Sequence, residues 1–361
     1  MKFSLLTKRH YTNKDLLVDR FGRLFHLPVQ LHQLSHEGIV IAADLHTRRN
    51  ELKQIKGVTF HSFPLSLFTF FSFIKSSQGI LAKFNPDYII ASGDSYLGYL
   101  GLRLARKLQI PFIFDVYDDY TAFGTNKIPG MKKLFFKAVQ NADLVITAGN
   151  SLFDLLKPLA KSIINIENGY DPELFHPIPI EEARQKLDIP ASEIVIGYFG
   201  SLEPGFGIED LIEASRLLGK HVSKVLLLMA GKDNLKLDYA SYNIDYRGFL
   251  PQKEIPVLIN SCDVVVIPYL PSKMKQWCNA CKIAEYVACH KPVVATNIAD
   301  HNTIFASTPQ SICESGNPES MAAAIQLQLK APQLLNNSEH LTWQQLGKKL
   351  AHSLEALRIS N

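Results

Sequence analysis

The densest set of reactive side chains runs from Trp277 to Thr296, WCNACKIAEYVACHKPVVAT. Asn279 has the chemistry of a cap for the helix that the following residues predict. The first turn of such a helix offers free N–H groups and a positive dipole end, which favour a phosphate. Lys282 stands in that turn and adds a point charge, and Glu285, three residues on, shares its face. A ligand with a diphosphate and a ribose could meet both, the ammonium at phosphate and the carboxylate at ribose hydroxyls. The plainer alternative is a solvated ion pair worth roughly a few tenths of a kcal/mol. The second group is Ile196–Glu209, IGYFGSLEPGFGIE, where a strand runs into glycines and a helix follows. Gly200 and Ser201 would let a ligand approach the backbone, although the spacing fits neither the dinucleotide fingerprint nor the P-loop. The third is Phe112–Tyr120, FIFDVYDDY, which closes a strand with Asp115, Asp118 and Asp119. Crowded carboxylates raise one another's pKa and suit acid–base work or sugar hydroxyls, while capping and loop solvation explain them equally well.

Two further patterns carry less. Cys278-x2-Cys281, with Cys289, His290 and Cys262, invites a metal, but zinc sites usually pair two such units and the second is missing. No Asp-x-Asp motif occurs, and no metal is expected. A stretch from Phe60 to Ile74 is rich in Phe and Leu and reads as an apolar helix. It is either buried or dips into a bilayer interface between Lys53, Lys56, Lys75 and Lys83.

Short apolar runs alternating with helical patterns must position these groups, which predicts an α/β chain with parallel sheets. Strands are expected at Lys2–Leu6, Ile39–Ala43, Tyr88–Ala91, Phe112–Val116 and Leu144–Thr147. In the second half they are expected at Ile194–Phe199, Lys224–Met229, Ile244–Arg247, Val264–Pro268 and Val293–Thr296. Helices fall between them, and a last amphipathic helix covers Thr342–Leu357. Pro, Gly and Asp cluster between Asn168 and Pro179, where the domains should join. The chain thus reads as two doubly wound domains, 1–170 and 171–341, with a cleft between them.

Composition narrows the class. The chain has 361 residues, 47% hydrophobic and 20% charged, which excludes dominant disorder. The longest uncharged run, Gly57–Ile74, is 18 residues but contains Pro64, His61, three Ser and two Thr, too polar for a convincing span. Met1–Thr7 leads into Lys8-Arg9-His10 without a cleavage site, so no signal peptide is expected. Five cysteines, all in the second half, fit a reducing cytoplasm better than a disulfide framework. Residues 1–170 hold 21 Lys and Arg, 13 Asp and Glu and 16 of the 21 Phe. The first half is therefore basic and aromatic, suited to an anionic partner or the inner face of a membrane. Nucleic acid is not expected, since no basic repeat, zinc-finger spacing or RNA-binding aromatic signature occurs.

In order along the chain, these segments resemble the GT-B glycosyltransferases of family 4, the group 1 type. Asn168–Pro177 resembles the family's interdomain segment, Ile196–Ala214 the opening of its donor domain and Val225–Lys232 its next strand. Cys262–Pro268 and Lys282–Thr296 resemble the blocks that follow. The resemblance implies a retaining glycosyltransferase that moves a hexose-type sugar from a nucleoside diphosphate to a glycan or lipid-linked glycan. The setting would be cell-surface polysaccharide or lipopolysaccharide synthesis. A nucleotide sugar would be the donor substrate, with no cofactor. It implies donor contacts from Gly200, Ser201, Lys232, Arg247, Leu250, Asn279, Lys282 and Glu285. Acceptor contacts would come from Arg20, Arg23, Asp94, Asp118 and Asp119, with Asp118 and Lys282 closest to the chemistry. The sequence departs from the family at four places: Trp277 stands for a sugar-contacting Glu, Ser201 and Phe206 for phosphate-binding basic residues, and Tyr117 for a His. A non-catalytic subunit of a glycan-assembly complex is the alternative these departures suggest, and a nucleotide epimerase a third.

Overall fold

The structure, a computed structural model, describes residues 1–359 except Thr12, Asn13, Arg48, Phe123, His221, Ser223, Ala240, Ser241, Lys273, Met274, Cys278 and Asn337. The chain divides into two compact units, Met1–Gly169 with Trp277–Asn279 and Trp343–Asn361, and Tyr170–Gln276 with Ala280–Thr342. The join falls after Gly169, within the Pro- and Gly-rich stretch. Trp277–Asn279 departs from the continuous second domain expected, and Trp277 packs into an apolar layer of the first unit.

In the first unit the strands are β1 (Lys2–Lys8), β2 (His10–Tyr11), β3 (Lys14–Asp15), β4 (Glu37–Asp44), β5 (Glu51–Ile55), β6 (Val58–Pro64), β7 (Tyr88–Ser92), β8 (Phe112–Val116), β9 (Leu144–Thr147) and β10 (Ile163–Asn165). Eight of them form one sheet in the order β10-β9-β8-β7-β1-β4-β6-β5, and β2 pairs with β3. The central strands are buried along nearly their whole length, as a parallel sheet covered on both faces requires. Helices α1 (Arg23–Gln33), α2 (Phe70–Phe84), α3 (Ser95–Leu108), α4 (Met131–Asn141) and α5 (Asn150–Leu156) supply the cover. One expectation is corrected here. Residues 58–64 of the aromatic stretch are strand, not helix, because Val58, Phe60 and Ser62 alternate buried with half-buried Thr59, His61 and Phe63. The helix starts only at Phe70.

The second unit holds α6 (Ile180–Leu187), β11 (Ile194–Phe199), α7 (Ile208–Leu218), β12 (Val225–Ala230), β13 (Ile244–Tyr246), α8 (Ile255–Ser261), β14 (Val264–Ile267), α9 (Cys281–Ala288), β15 (Val293–Thr296), α10 (His301–Ile304), β16 (Ile312–Cys313) and α11 (Pro318–Lys330). Its six strands are parallel, in the order β13-β12-β11-β14-β15-β16. The chain ends with α12 (Trp343–Ile359), which returns to the first unit. Leu346, Leu350 and Leu354 recur every four residues on its buried face. Trp343 stacks on His26 of α1 at 5.1 Å, and the Tyr88 hydroxyl donates to the Leu354 carbonyl at 3.1 Å.

Candidate functional site

Each sheet has one point at which the strand order reverses, between β11 and β14 in the second unit and between β1 and β7 in the first. Ligands of such sheets settle beyond the strand ends at those points. In the second unit, β11 runs into Gly200 and β14 into Pro268-Tyr269. The turn after β11 lies hard against the turn after β12. A Cβ on Gly231 (φ +149°) would sit 1.8 Å from the Gly200 carbonyl oxygen, so only glycine fits. Helix α9 is pinned beneath this turn by Tyr286, whose buried hydroxyl accepts from the Phe199 amide at 3.0 Å. One turn earlier on the same face is Lys282. Its Nζ lies 3.9 Å from the centroid of the Tyr198 ring and 5.2 Å from that of Tyr269, and a Cβ on Gly200 would meet it at 2.6 Å. Lys282 is 8% exposed, so it is not half of a solvated surface pair. Glu285 accepts from the Gln252 side-chain amide at 3.4 Å, which places its carboxylate beside the loop after β13. One turn of α9 thus sets a cation at the glycine turn and a carboxylate at the neighbouring loop. That spacing suits a phosphate and a ribose of one ligand.

Tyr269 organises the other side. Its carbonyl accepts from the Thr296 hydroxyl at 2.7 Å and the Ser315 hydroxyl at 2.9 Å. Its ring meets Phe206 edge-on at 5.5 Å. Lys275 places its Nζ 3.8 Å from the Phe206 centroid and 4.0 Å from that of Tyr269. No pattern in the sequence marks Lys275, because its position depends on a loop between two elements. Cys278, the first cysteine of the Cys-x2-Cys pair, lies outside the described residues.

Several expected donor residues stand elsewhere. The Arg247 guanidinium donates to the Asp245 carboxylate at 2.6 Å and to the Leu187 carbonyl at 2.8 Å. The Lys232 side chain is exposed, and its carbonyl accepts from the Leu202 amide. Leu250 packs as a half-buried apolar residue at the core edge. Ser201 uses its carbonyl to accept from the Tyr198 hydroxyl at 2.8 Å. Asn279 is not the cap of α9: Ala280 is, and no side chain caps the helix. Asn279 instead gives its carbonyl to the Asn168 side chain at 2.7 Å.

In the first unit, β1 ends at Lys8 and β7 leads to Asp94, which cross the switch point as an ion pair at 2.6 Å. The second Asp94 oxygen, the Thr7 hydroxyl and the Tyr96 hydroxyl are buried and have no hydrogen-bond partner among the described residues. Burial and the Asp94 charge push the Tyr96 phenol well above its ordinary range. These groups could accept from and donate to a polyol. Asp94 was expected from sequence; Lys8, Thr7 and Tyr96 were not, because the topology alone brings β1 beside β7. Arg23 is a correction. It is fully buried, donating to Asp115 at 2.6 and 3.1 Å and to the Ile166 carbonyl at 2.9 Å, and so cannot meet an acceptor. Arg20 is exposed in the left-handed region, φ +53°. Asp119 is occupied by the Thr121 amide and hydroxyl, at 2.9 and 2.6 Å, the loop-capping role. Asp118 is half-exposed and accepts from the Asp119 amide at 2.9 Å.

Among the described residues no cluster of His, Cys, Asp or Glu could hold a metal, and no helix is long and apolar enough to cross a membrane. Burial pushes the thiols of Cys262, Cys289 and Cys313 up to about 12, so they pack as protonated core groups.

Comparison with known proteins adds to this geometry. Residues 179–341 match the family described as Glycosyl transferases group 1. A GDP-mannose-dependent alpha-mannosyltransferase of Mycobacterium tuberculosis is 23% identical over 255 residues, 65% of this chain and 65% of that protein. The Mycolicibacterium smegmatis enzyme of the same description is 24% identical over 76% of this chain and 75% of its own length. The chain thus spans just under two thirds of the first of these relatives. Among solved structures, a sucrose-phosphate synthase from Thermosynechococcus elongatus superposes with a TM-score of 0.79 at 16% identity, over all of both chains. Anabaena Alr3699/HepE in complex with UDP gives 0.72 at 16% identity, over 99% of this chain and all of that one.

Proposed function

We propose that this chain is a nucleotide-sugar-dependent glycosyltransferase, because residues 179–341 match the family described as Glycosyl transferases group 1 and the two α/β units share the GT-B fold. It moves a hexose-type sugar from a nucleoside diphosphate to a glycan or lipid-linked glycan, with retention at the anomeric carbon. The observation that carries this reading is the placing of Lys282 and Glu285 one helical turn apart, the first against Gly200 and the second beside the loop after β13. Lys282 binds the diphosphate and Glu285 the ribose. In the reaction, the bond between the anomeric carbon and the terminal phosphate oxygen breaks, and an acceptor hydroxyl oxygen bonds to that carbon on the same face. The acceptor proton passes to the departing diphosphate. No protein nucleophile takes part, so the chain contributes position and stabilisation of the leaving charge. Asp94, paired with Lys8, and Asp118 hold acceptor hydroxyls.

The same reading places the first unit at a membrane surface that carries the acceptor. Leu67, Phe68 and Phe71 are 93, 97 and 80% exposed at the start of α2, and Lys75 and Lys83 follow on the same helix. Contiguous exposed apolar side chains with nearby lysines suit an anionic bilayer interface.

A thermal-shift titration with UDP, GDP, ADP, TDP and CMP tests the donor reading. Ligand at a hundred times its Kd should stabilise by about 2.7 kcal/mol. One nucleotide should shift the wild type and leave Lys282→Ala and Glu285→Ala unmoved. No shift with any nucleotide would overturn the reading.

A further inference from the structure

Helices α2, α3 and α4 have 15, 14 and 11 residues and together carry eight Lys or Arg and no Asp or Glu. Their buried sides belong to one layer: Phe73, Leu102 and Phe135 enter the same apolar cluster. Two of the cations lie on α2 and three each on α3 and α4, and all eight are exposed. Among the described residues none of them makes an ion pair. Their contacts are with neutral groups. Arg106 donates to the Asn141 side chain at 2.5 Å, Lys107 donates to that of Gln78 at 3.4 Å, and the Lys137 ammonium lies 5.6 Å from the centroid of the Tyr99 ring. Other helices of the chain mix the signs: α6 holds Glu181 and Glu182 with Arg184 and Lys186, and α7 sets Arg216 against Glu213. Interspersed signs are the ordinary solvated surface, whereas like charges gathered on one face repel one another. A one-signed face spread over three helices therefore matches an anionic surface of similar extent.

Apolar groups on the same face decide which carrier of negative charge fits. Leu67, Phe68 and Phe71 stand in water at the start of α2, and Ile128, 55% exposed, stands just before α4. Strands β6, β4, β1, β7 and β8 are parallel, so α2, which follows β6, begins at the carboxyl edge of the sheet. Helix α4 ends where β9 starts and so begins toward the same edge. That edge carries the Lys8–Asp94 pair. The three helices thus present cations along their length and the most exposed apolar side chains at one end. A soluble polyanion gives the apolar end nothing to meet. A bilayer with acidic phospholipids meets both, headgroup phosphates at the cations and acyl chains at the rings.

We propose that the α2–α3–α4 face is the surface by which the first unit lies on an anionic phospholipid bilayer, with the apolar start of α2 entering the interface and the carboxyl edge that bears Asp94 turned toward the lipid. This goes beyond a hydrophobic tip on α2: α3 and α4, which carry no part of that tip, supply most of the charge. It rests on the membrane reading of the first unit above and specifies the face, the lipid charge it requires and the orientation. Each Lys or Arg close to such a surface strengthens binding by about fivefold, until salt screens it.

The test measures sedimentation of the full chain with vesicles of phosphatidylcholine, alone or mixed with phosphatidylglycerol. The wild type should bind the mixed vesicles and not the neutral ones, and should lose that binding as salt is raised. Lys132→Gln, Lys133→Gln and Lys137→Gln together should weaken binding to the mixed vesicles by about a hundredfold. Arg103→Gln with Lys107→Gln, on α3, should weaken it by about twentyfold, and this pair serves if the α4 variant does not fold. Lys348→Gln, Lys349→Gln and Arg358→Gln remove as many charges from α12, which packs on the other face of the sheet, and should change binding by less than about threefold. Equal losses from the α4 and α12 variants would make net charge the cause and overturn the assignment. Full binding by the α4 variant, with loss in Phe68→Ser with Phe71→Ser, would overturn it while leaving the membrane reading of α2 intact. Dextran sulfate bound as tightly as the vesicles, with the same dependence on α4 and with full vesicle binding by the phenylalanine variant, would assign the face to a soluble polyanion and overturn the bilayer. A wild type that sediments with neither vesicle overturns this inference and the membrane reading together, and the nucleotide titration tests the donor site independently.

Discussion

Replacing Arg23 with Met separates a structural guanidinium from one that meets substrate. Arg23 is fully buried and makes two bonds to Asp115, a third to the Ile166 carbonyl and a longer one to the Asn168 side chain at 3.4 Å. Methionine fills most of the volume but leaves the Asp115 carboxylate with only the Ser92 hydroxyl, at 2.5 Å, among these partners. Breaking one side of a buried pair costs about 3–5 kcal/mol, because the surviving charge stays out of water. In a unit of this size each kcal/mol lowers Tm by roughly 2–4 °C. The unfolding transition of the first unit should therefore fall by roughly 6–20 °C in a calorimetric scan. Arg23→Met with Asp115→Leu removes both charges and should regain most of that loss, since an apolar replacement of a buried pair is often neutral. Michaelis constants for the acceptor, measured below the lowered transition, should stay near wild type. A single variant that melts within about 2 °C of wild type, yet raises the acceptor constant, would refute the burial argument and return Arg23 to the acceptor.

Gly231→Ala should abolish donor binding while the protein stays folded at low temperature. Its Cβ cannot coexist with the Gly200 carbonyl at 1.8 Å, so the turn over Lys282 must move; unchanged nucleotide affinity would contradict that packing. Phe68→Ser with Phe71→Ser should weaken binding to anionic vesicles by at least about a hundredfold, taking ~1.5–3 kcal/mol for each inserted phenylalanine. Equal sedimentation of variant and wild type with vesicles would exclude this surface. His301 supplies a pH dependence. Its folded pKa is depressed by burial, so its contribution is fully present above about pH 6.5 and is lost as pH falls below that value. His10, His36 and His61 are depressed for the same leading reason and add to the slope. Urea unfolding from pH 7.5 down to about 5 should lose stability less steeply in His301→Gln than in wild type; identical slopes would count against it.

Much of the fold is legible because parallel strands announce themselves. Phe112–Val116, Leu144–Thr147, Ile194–Phe199 and Val293–Thr296 are short apolar runs with turn residues at their ends, and they form strands over those residues. Helix α7 and helix α11 likewise follow their periodicity. The aromatic stretch misleads for a physical reason. A dense run of Phe hides the period-two burial of 58–64, and Pro64 then separates a strand from a helix within one apolar window. Strands β5, β10 and β16 lie at or beside sheet edges, where short or amphipathic sequences carry little signal.

Helix α9 is legible for a different reason: Lys282, Glu285 and Tyr286 sit in one element, so spacing along the chain is spacing in space. Asp94 with Lys8, and Lys275 with Phe206, are separated by 86 and 69 positions and meet only because parallel strands bring their carboxyl ends to one edge. At the turn after β11 the sequence places Ser201 and Phe206 where the family resemblance implies basic residues. The fold brings Lys275 from another segment to 3.8 Å from the Phe206 ring centroid. A missing charge in a motif is therefore weak evidence for lost activity until the space around that position has been searched, and here that space holds Lys275.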